Sequence, residues 1–348
     1  MNEPDTLTEG EIQLLIVLIE LSQPKETPNN NHYTFYPKTV EQAATYFKGS
    51  RVDWAAAYQS LAEKGYITSE PGGYALTLRG AELANQVRDA RPPIYYWYEQ
   101  YYALAPLSRA YQQFCEQVYG RFLCQTNFSD MEQIDKLIEV LQLTPGQQAL
   151  DIGCGIGLIT EYLSDQVGAS FTGIDYSPTA IRQATQRTIA KRNRLTFREL
   201  NMDSLDFPDG TFDAVVSIDT LYMPNDLDAT LKRLMCMLKP GGKLAVFWLQ
   251  MLWDAKMSRD TLLAPNTPIA QALKHNGFTF QAWDFSAQTY RQMQCKPEVG
   301  NKLKAAFEAE GNRALYDYVL AESISDPTPY DPATSTISRT LYLARKEG

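Results

Sequence analysis

From residue 147 to 249 the sequence alternates between short apolar runs and helical patterns. The runs at 147–152, 170–175, 195–201, 212–218 and 243–249 read as strands, and 157–166, 178–191 and 227–238 read as helices. Alternation of this kind builds a parallel sheet. Each crossover returns the chain to the same end of the sheet, and the helices cover both faces. A helix near 267–276, a strand near 278–285 and a closing strand, "SRTLYLAR", follow.

The first strand runs into "ALDIGCGIG" (149–157), with glycines at 153, 155 and 157 ahead of the helical "LITEYLSDQV". Glycines so placed let backbone turn tightly and approach a ligand. The dinucleotide fingerprint G-x-G-x-x-G asks for a glycine at 158, where this chain has Leu158. Asp151 disfavours a pyrophosphate at the helix start and suits a ligand with a cationic end. Cys154 reads as a small neutral loop residue. Asp175, in "FTGIDYS", follows Gly155 at the spacing by which an acid reaches a ribose. Asp203, in "ELNMDSLDF", ends the third strand, where it can accept from an adenine amino group.

"LDIGCGIG", "GIDYS", "NMDSLDFPDGTFDAVVS" and "MLKPGGKL" stand in order. Over about 130–348 this set resembles class I S-adenosylmethionine-dependent methyltransferases. The resemblance implies a Rossmann-like α/β sheet and S-adenosylmethionine as cofactor, leaving as S-adenosylhomocysteine. It implies that Asp151, Gly153, Cys154, Gly155 and Gly157 meet the methionine moiety. Asp175 would hold the ribose, with Tyr176 beside the adenine. Met202, Asp203 and Ser204 would frame the adenine, and Ile218 would line the cofactor. No metal ligand set is expected.

Residues 1–90 read as a separate domain. Thr8 with Glu11 marks a capping box, Thr39 with Gln42 a second helix start, and Ser50 with Asp53 a third. A hairpin around Pro71-Gly72-Gly73 and a last helix from about 80 to 88 follow. "LAEKGYITSEPGGYALTLRG" resembles the winged-helix domains of MarR-type regulators. Residues 91–143 read as an aromatic helical connector, and 144–348 as the methyltransferase domain, with an insertion at about 287–332 covering the acceptor site.

Asp219 and Tyr222 are the candidate catalytic residues. Asp219 resembles the acid near the acceptor in phosphobase N-methyltransferases, but Met223 stands where those enzymes carry a histidine. "VFWLQMLWDAK" also lacks the histidine that winged-helix O-methyltransferases use. Tyr95, Tyr98 and Tyr102 share one helical face, Trp97 and Tyr101 another, and Trp248, Trp253 and Trp283 sit near strand ends or connections. The first reading of such aromatic stripes is core; the second is an acceptor cage.

Charge limits the partners. The net charge is −9, and residues 1–90 hold seven lysines and arginines against twelve aspartates and glutamates. Nucleic acid and anionic membrane are disfavoured. A small-molecule acceptor is expected, with a homodimer through the winged helix. Five scattered cysteines, no CxxC pair and no signal-peptide pattern point to the cytoplasm. The rival readings are a DNA-binding regulator that senses a ligand through a methyltransferase-like domain, and an NAD-dependent oxidoreductase.

Overall fold

The computed structural model describes residues 7–22, 39–46, 52–90, 94–252, 254 and 256–345. Ser50, Trp253 and His32 lie outside them. Residues up to Tyr111, together with Gly300–Glu322, group into one compact unit; Gln112–Val299 and Ser323–Gly348 group into a second.

In the first unit, α1 (Glu9–Ser22), α2 (Val40–Tyr46) and α3 (Trp54–Glu63) precede a hairpin of β1 (Ile67–Glu70) and β2 (Gly73–Leu76). Helices α4 (Leu78–Asp89) and α5 (Tyr95–Leu104) follow. The Thr8 capping box forms in both directions: the Thr8 amide donates to Glu11 at 2.6 Å, and the Glu11 amide to Thr8 Oγ1 at 3.3 Å. Asp53 caps α3, accepting from the Ala56 amide at 3.1 Å. Leu14, Leu15, Leu18, Tyr58, Leu61 and Ile67 make the core, with Ala314 packed against it.

Ala314 belongs to the 287–332 segment, of which residues 300–322 group within the N-terminal unit. Glu310 accepts from the Ser108 hydroxyl at 2.5 Å and the Ala110 amide at 2.9 Å. Tyr318 stands edge-on to Tyr101, whose hydroxyl bonds that of Tyr111 at 2.8 Å. The Tyr95–Tyr111 aromatics are therefore largely core, with Tyr101 and Tyr111 buried.

The second unit is built on a sheet. α6 (Arg109–Tyr119) leads to α7 (Met131–Leu141), capped by Asp130. Then come β3 (Gln148–Ile152), α8 (Leu158–Val167), β4 (Ser170–Asp175), α9 (Pro178–Arg187), β5 (Leu195–Glu199), β6 (Phe212–Ile218), α10 (Leu227–Met237) and β7 (Leu238–Met251). The chain ends with α11 (Pro268–His275), β8 (Thr279–Asp284), α12 (Ser286–Ala309), α13 (Arg313–Ala321) and β9 (Ile337–Arg345).

The strand order is β5-β4-β3-β6-β7-β9-β8. The first five are parallel, and β9 runs antiparallel between β7 and β8. Period-two alternation divides the core between the two faces. Leu150, Ile152, Val215, Leu244 and Val246 pack on one side with Leu231, Leu234, Ile269 and Leu273. Ala149, Phe171, Val216, Phe247 and Leu341 pack on the other with Ile134, Leu137, Ile159 and Leu163. Strand order reverses at β3, so the carboxyl ends of β3, β4 and β6 open a crevice there.

Candidate active site

The glycine loop sits at that crevice. Gly153, Gly155 and Gly157 all have left-handed backbone, with φ of 70°, 53° and 71°. Only glycine takes such a series without strain. A Cβ on Gly153 would fall 2.3 Å from the Thr220 methyl, and one on Gly157 would fall 2.4 Å from the Phe197 ring. The Gly153 and Cys154 amides donate to the Ile174 carbonyl at 2.8 and 2.9 Å, tying the loop to the end of β4.

Two buried acids frame the loop. Asp175 accepts from the Gly155 amide at 2.9 Å and from the Ser177 amide at 2.9 Å. Asp151 is 3% exposed and accepts from the Thr160 hydroxyl at 2.5 Å. Burial raises the Asp151 carboxyl to about 6, the Thr160 bond opposes the rise, and the charge of Asp175 adds to it. Among the described residues no cation offsets this carboxylate, and a bound cation would do so. Burial, with Asp151 and Asp175 nearby, also pushes the Cys154 thiol well up. That is the chemistry of an inert thiol.

Asp203 does not end a strand. β5 stops at Glu199, the Leu200 amide donates to the Asp175 carbonyl at 3.0 Å, and Met202–Ser204 forms a single 3-10 turn. Asn201 accepts the Asp203 amide at 3.0 Å. The Asp203 carboxylate takes both the backbone and side-chain N–H groups of Asn225, at 2.9 and 2.8 Å. Met202 and Ile218 are buried.

Past β6, Thr220 is tied to the end of β3. Its hydroxyl donates to the Ile152 carbonyl at 2.8 Å. Asp219 precedes it with φ of +56°. Its carboxylate accepts from the Tyr222 hydroxyl at 2.9 Å, from the Phe128 amide at 3.3 Å and from the Arg339 guanidinium. The Tyr222 hydroxyl accepts the Leu249 amide at 2.5 Å, and its ring lies 4.2 Å from Trp248. Desolvation, then the charge of Asp219, pushes the Tyr222 phenol well up, so it stays neutral. Arg339, on β9, is fully buried. It also donates to Gln133 at 3.2 Å and Ser129 at 2.9 Å, and lies over Phe247.

Sequence reasoning missed Arg339, Ser129, Gln133 and Asn225. The one signal for Arg339 was a cation at an otherwise apolar position of "SRTLYLAR". Among the described residues no cluster of histidine, cysteine or acidic side chains has metal-holding geometry.

Comparison with known proteins fits this crevice. Residues 149–242 match the family model described as a methyltransferase domain. A phosphoethanolamine N-methyltransferase of Arabidopsis thaliana is 30% identical over 181 residues, covering 51% of this chain and 33% of that protein. A 2-methyl-6-phytyl-1,4-hydroquinone methyltransferase of Synechocystis is 39% identical over 105 residues, 30% of this chain and 32% of that one. The chain thus spans about a third of the length of the curated relatives it matches. A phosphoethanolamine N-methyltransferase 2 of Haemonchus contortus superposes with a TM-score of 0.55 at 18% identity. It covers 72% of this chain and 60% of that one, and shares the fold.

Proposed function

We propose that the protein transfers a methyl group from S-adenosylmethionine to a small-molecule acceptor. The observation that carries this reading is the pairing of a left-handed glycine loop with Asp151, a buried carboxyl raised to about 6 and left without a cationic partner. A sulfonium or ammonium at the loop compensates it, whereas a pyrophosphate does not. The similarity to methyltransferases supports the same choice, against an NAD-dependent oxidoreductase.

The bound cofactor supplies an activated methyl group with a neutral thioether as leaving group. Gly153, Gly155 and Gly157 give its methionine part room, and Asp151 balances its positive end. Asp175 takes the ribose, with Tyr176 beside the adenine. Met202, Asp203 and Ser204, held by Asn225, border the adenine, and Ile218 closes the floor. The pocket would hold the acceptor's electron pair in line with the methyl–sulfur bond that the cofactor gives up. Any proton on the acceptor atom leaves to water. The protein's part is alignment.

Asp219 and Tyr222 form the acceptor wall in this reading. The Asp219 carboxylate already accepts from three donors, so the pair positions rather than deprotonates.

We read residues 1–90 as a winged-helix-like module that serves association, making a homodimer, rather than DNA reading. In the helix that would enter a groove, Lys64 is bound to the buried Glu11 at 2.6 Å and Gln59 to Glu63 at 2.8 Å. Neither is left to meet phosphate or base. Among the described residues no helix is long and apolar enough to cross a membrane. The five cysteines form no disulfide, which suits the cytoplasm.

Calorimetric titration of S-adenosylmethionine into the protein and into Asp175→Ala tests the reading. Micromolar binding, weakened at least about tenfold in the variant, is expected. Wild-type protein that binds NAD and not S-adenosylmethionine overturns it.

A further inference from the structure

Resting on the methyltransferase reading, we infer that Arg339 sets the charge class of the acceptor. By neutralising Asp219 it makes the acceptor wall uncharged and fits the site to a neutral, flat nucleophile rather than an amine carried as an ammonium.

Four observations carry this. Arg339 is fully buried and gives its guanidinium to Asp219, Ser129 and Gln133, with the Phe247 face beneath it. The Asp219 side chain is itself 7% exposed, and its left-handed backbone conformation accompanies this inward placement. Tyr222 spends its hydroxyl on Asp219 and the Leu249 amide, so what it leaves open is its ring, tilted at 52° against Trp248. Met223 adds no charge at the position four residues beyond Asp219.

An unpaired carboxylate at this wall would attract an ammonium strongly, because water screens it little there. Paired with a buried guanidinium, it offers almost no net field. An ammonium would also lie close to the cationic end of the cofactor and has no lone pair to give. A neutral hydroxyl, phenol or electron-rich carbon meets neither obstacle and can lie against the exposed Tyr222 ring, which Trp248 backs. Arg339 acts through Asp219 and touches no reacting atom, so it is a positioning and specificity residue.

The test measures binding of methylhydroquinone, dimethylethanolamine and benzoate to the full chain in saturating S-adenosylhomocysteine. S-adenosylhomocysteine binding is recorded first as an independent check on the cofactor assignment. Wild type is expected to bind methylhydroquinone at least about tenfold more tightly than dimethylethanolamine. Arg339→Gln keeps a hydrogen-bonding amide and removes the charge; it should gain dimethylethanolamine binding by a similar factor with cofactor affinity unchanged. Asp219→Asn leaves the opposite charge exposed and should instead gain benzoate. It covers the case in which Arg339→Gln does not fold. Wild type that prefers dimethylethanolamine, or folded variants in which neither charged probe gains, overturn the inference. Failure of S-adenosylhomocysteine to bind wild type would count against the methyltransferase reading instead.

Discussion

The methyl group of Thr220 occupies the space that a side chain on Gly153 would need, with 2.3 Å between Cγ2 and an ideal Cβ. The first residue of the glycine loop and the second residue after β6 are therefore fitted to each other. Gly153→Ala should cost about 2 kcal/mol, from the clash and from a left-handed φ of 70°. It should also weaken S-adenosylmethionine binding. Adding Thr220→Ser removes Cγ2, keeps the hydroxyl to the Ile152 carbonyl, and should recover part of both losses. Chemical denaturation and calorimetry of the two variants check this; no recovery in the double variant counts against the fit.

Asp151 trades stability for charge. Its carboxyl is raised to about 6, against an ordinary 3.8. Between these values the folded protein keeps a proton that the unfolded chain has lost. The group's contribution is full below about pH 4 and falls as pH rises through 6, by up to about 3 kcal/mol. Asp151→Asn keeps an acceptor for Thr160 and removes the charge. Its melting temperature should exceed wild type by several degrees at about pH 7.5 and match it near pH 4, while S-adenosylmethionine affinity falls. An equal gain at both pH values would contradict this account.

Glu11 works in the opposite direction. Burial alone would raise it, but the Lys64 ammonium, with Thr8 and Ser60, holds it below the usual glutamate range. Its stabilisation is present above the ordinary glutamate value and is lost as pH falls through the depressed one. Glu11→Gln should destabilise the N-terminal unit by about 2 kcal/mol at neutral pH, at the low end for a buried pair because Lys64 reaches water. Thermal melts at neutral and acid pH should converge on acidification.

Asn225 clamps the Asp203 turn through two hydrogen bonds. Asn225→Ala removes the side-chain bond and leaves the backbone one. Loss of about 1 kcal/mol of loop order should appear as a severalfold weaker S-adenosylmethionine affinity with little change in melting temperature. Unchanged affinity would place the Met202–Ser204 turn outside the cofactor site.

The parts legible in sequence are those fixed by local pattern. "LDIGCGIG" required a strand, a left-handed turn and a helix, and these form at Gln148–Ile152 and Leu158–Val167. Thr8 caps α1 because its side chain serves an amide within the same turn; α3 is capped by Asp53, the residue expected to complete a box begun by Ser50. What escaped depends on distant partners. Nothing near "SRTLYLAR" hints that Arg339 meets Asp219 from two strands away, across β7. Periodicity likewise cannot reveal that β9 slips between β7 and β8, or that Glu310 serves Ser108. The apolar pattern continues to Leu200 and suggests a strand reaching Asp203, but the ladder to β4 ends there and Met202–Ser204 forms a 3-10 turn.

The antiparallel insertion of β9 carries a cost during synthesis. β7 emerges from the ribosome as a long apolar strand paired only to β6. The strand that covers its other flank lies beyond β8, α12 and α13 in the chain. Until then, β7 presents open backbone to any extended polypeptide nearby. Nascent protein halted before β9 should therefore be a strong client for chaperones, and truncation there should aggregate even though the entire glycine loop is already made.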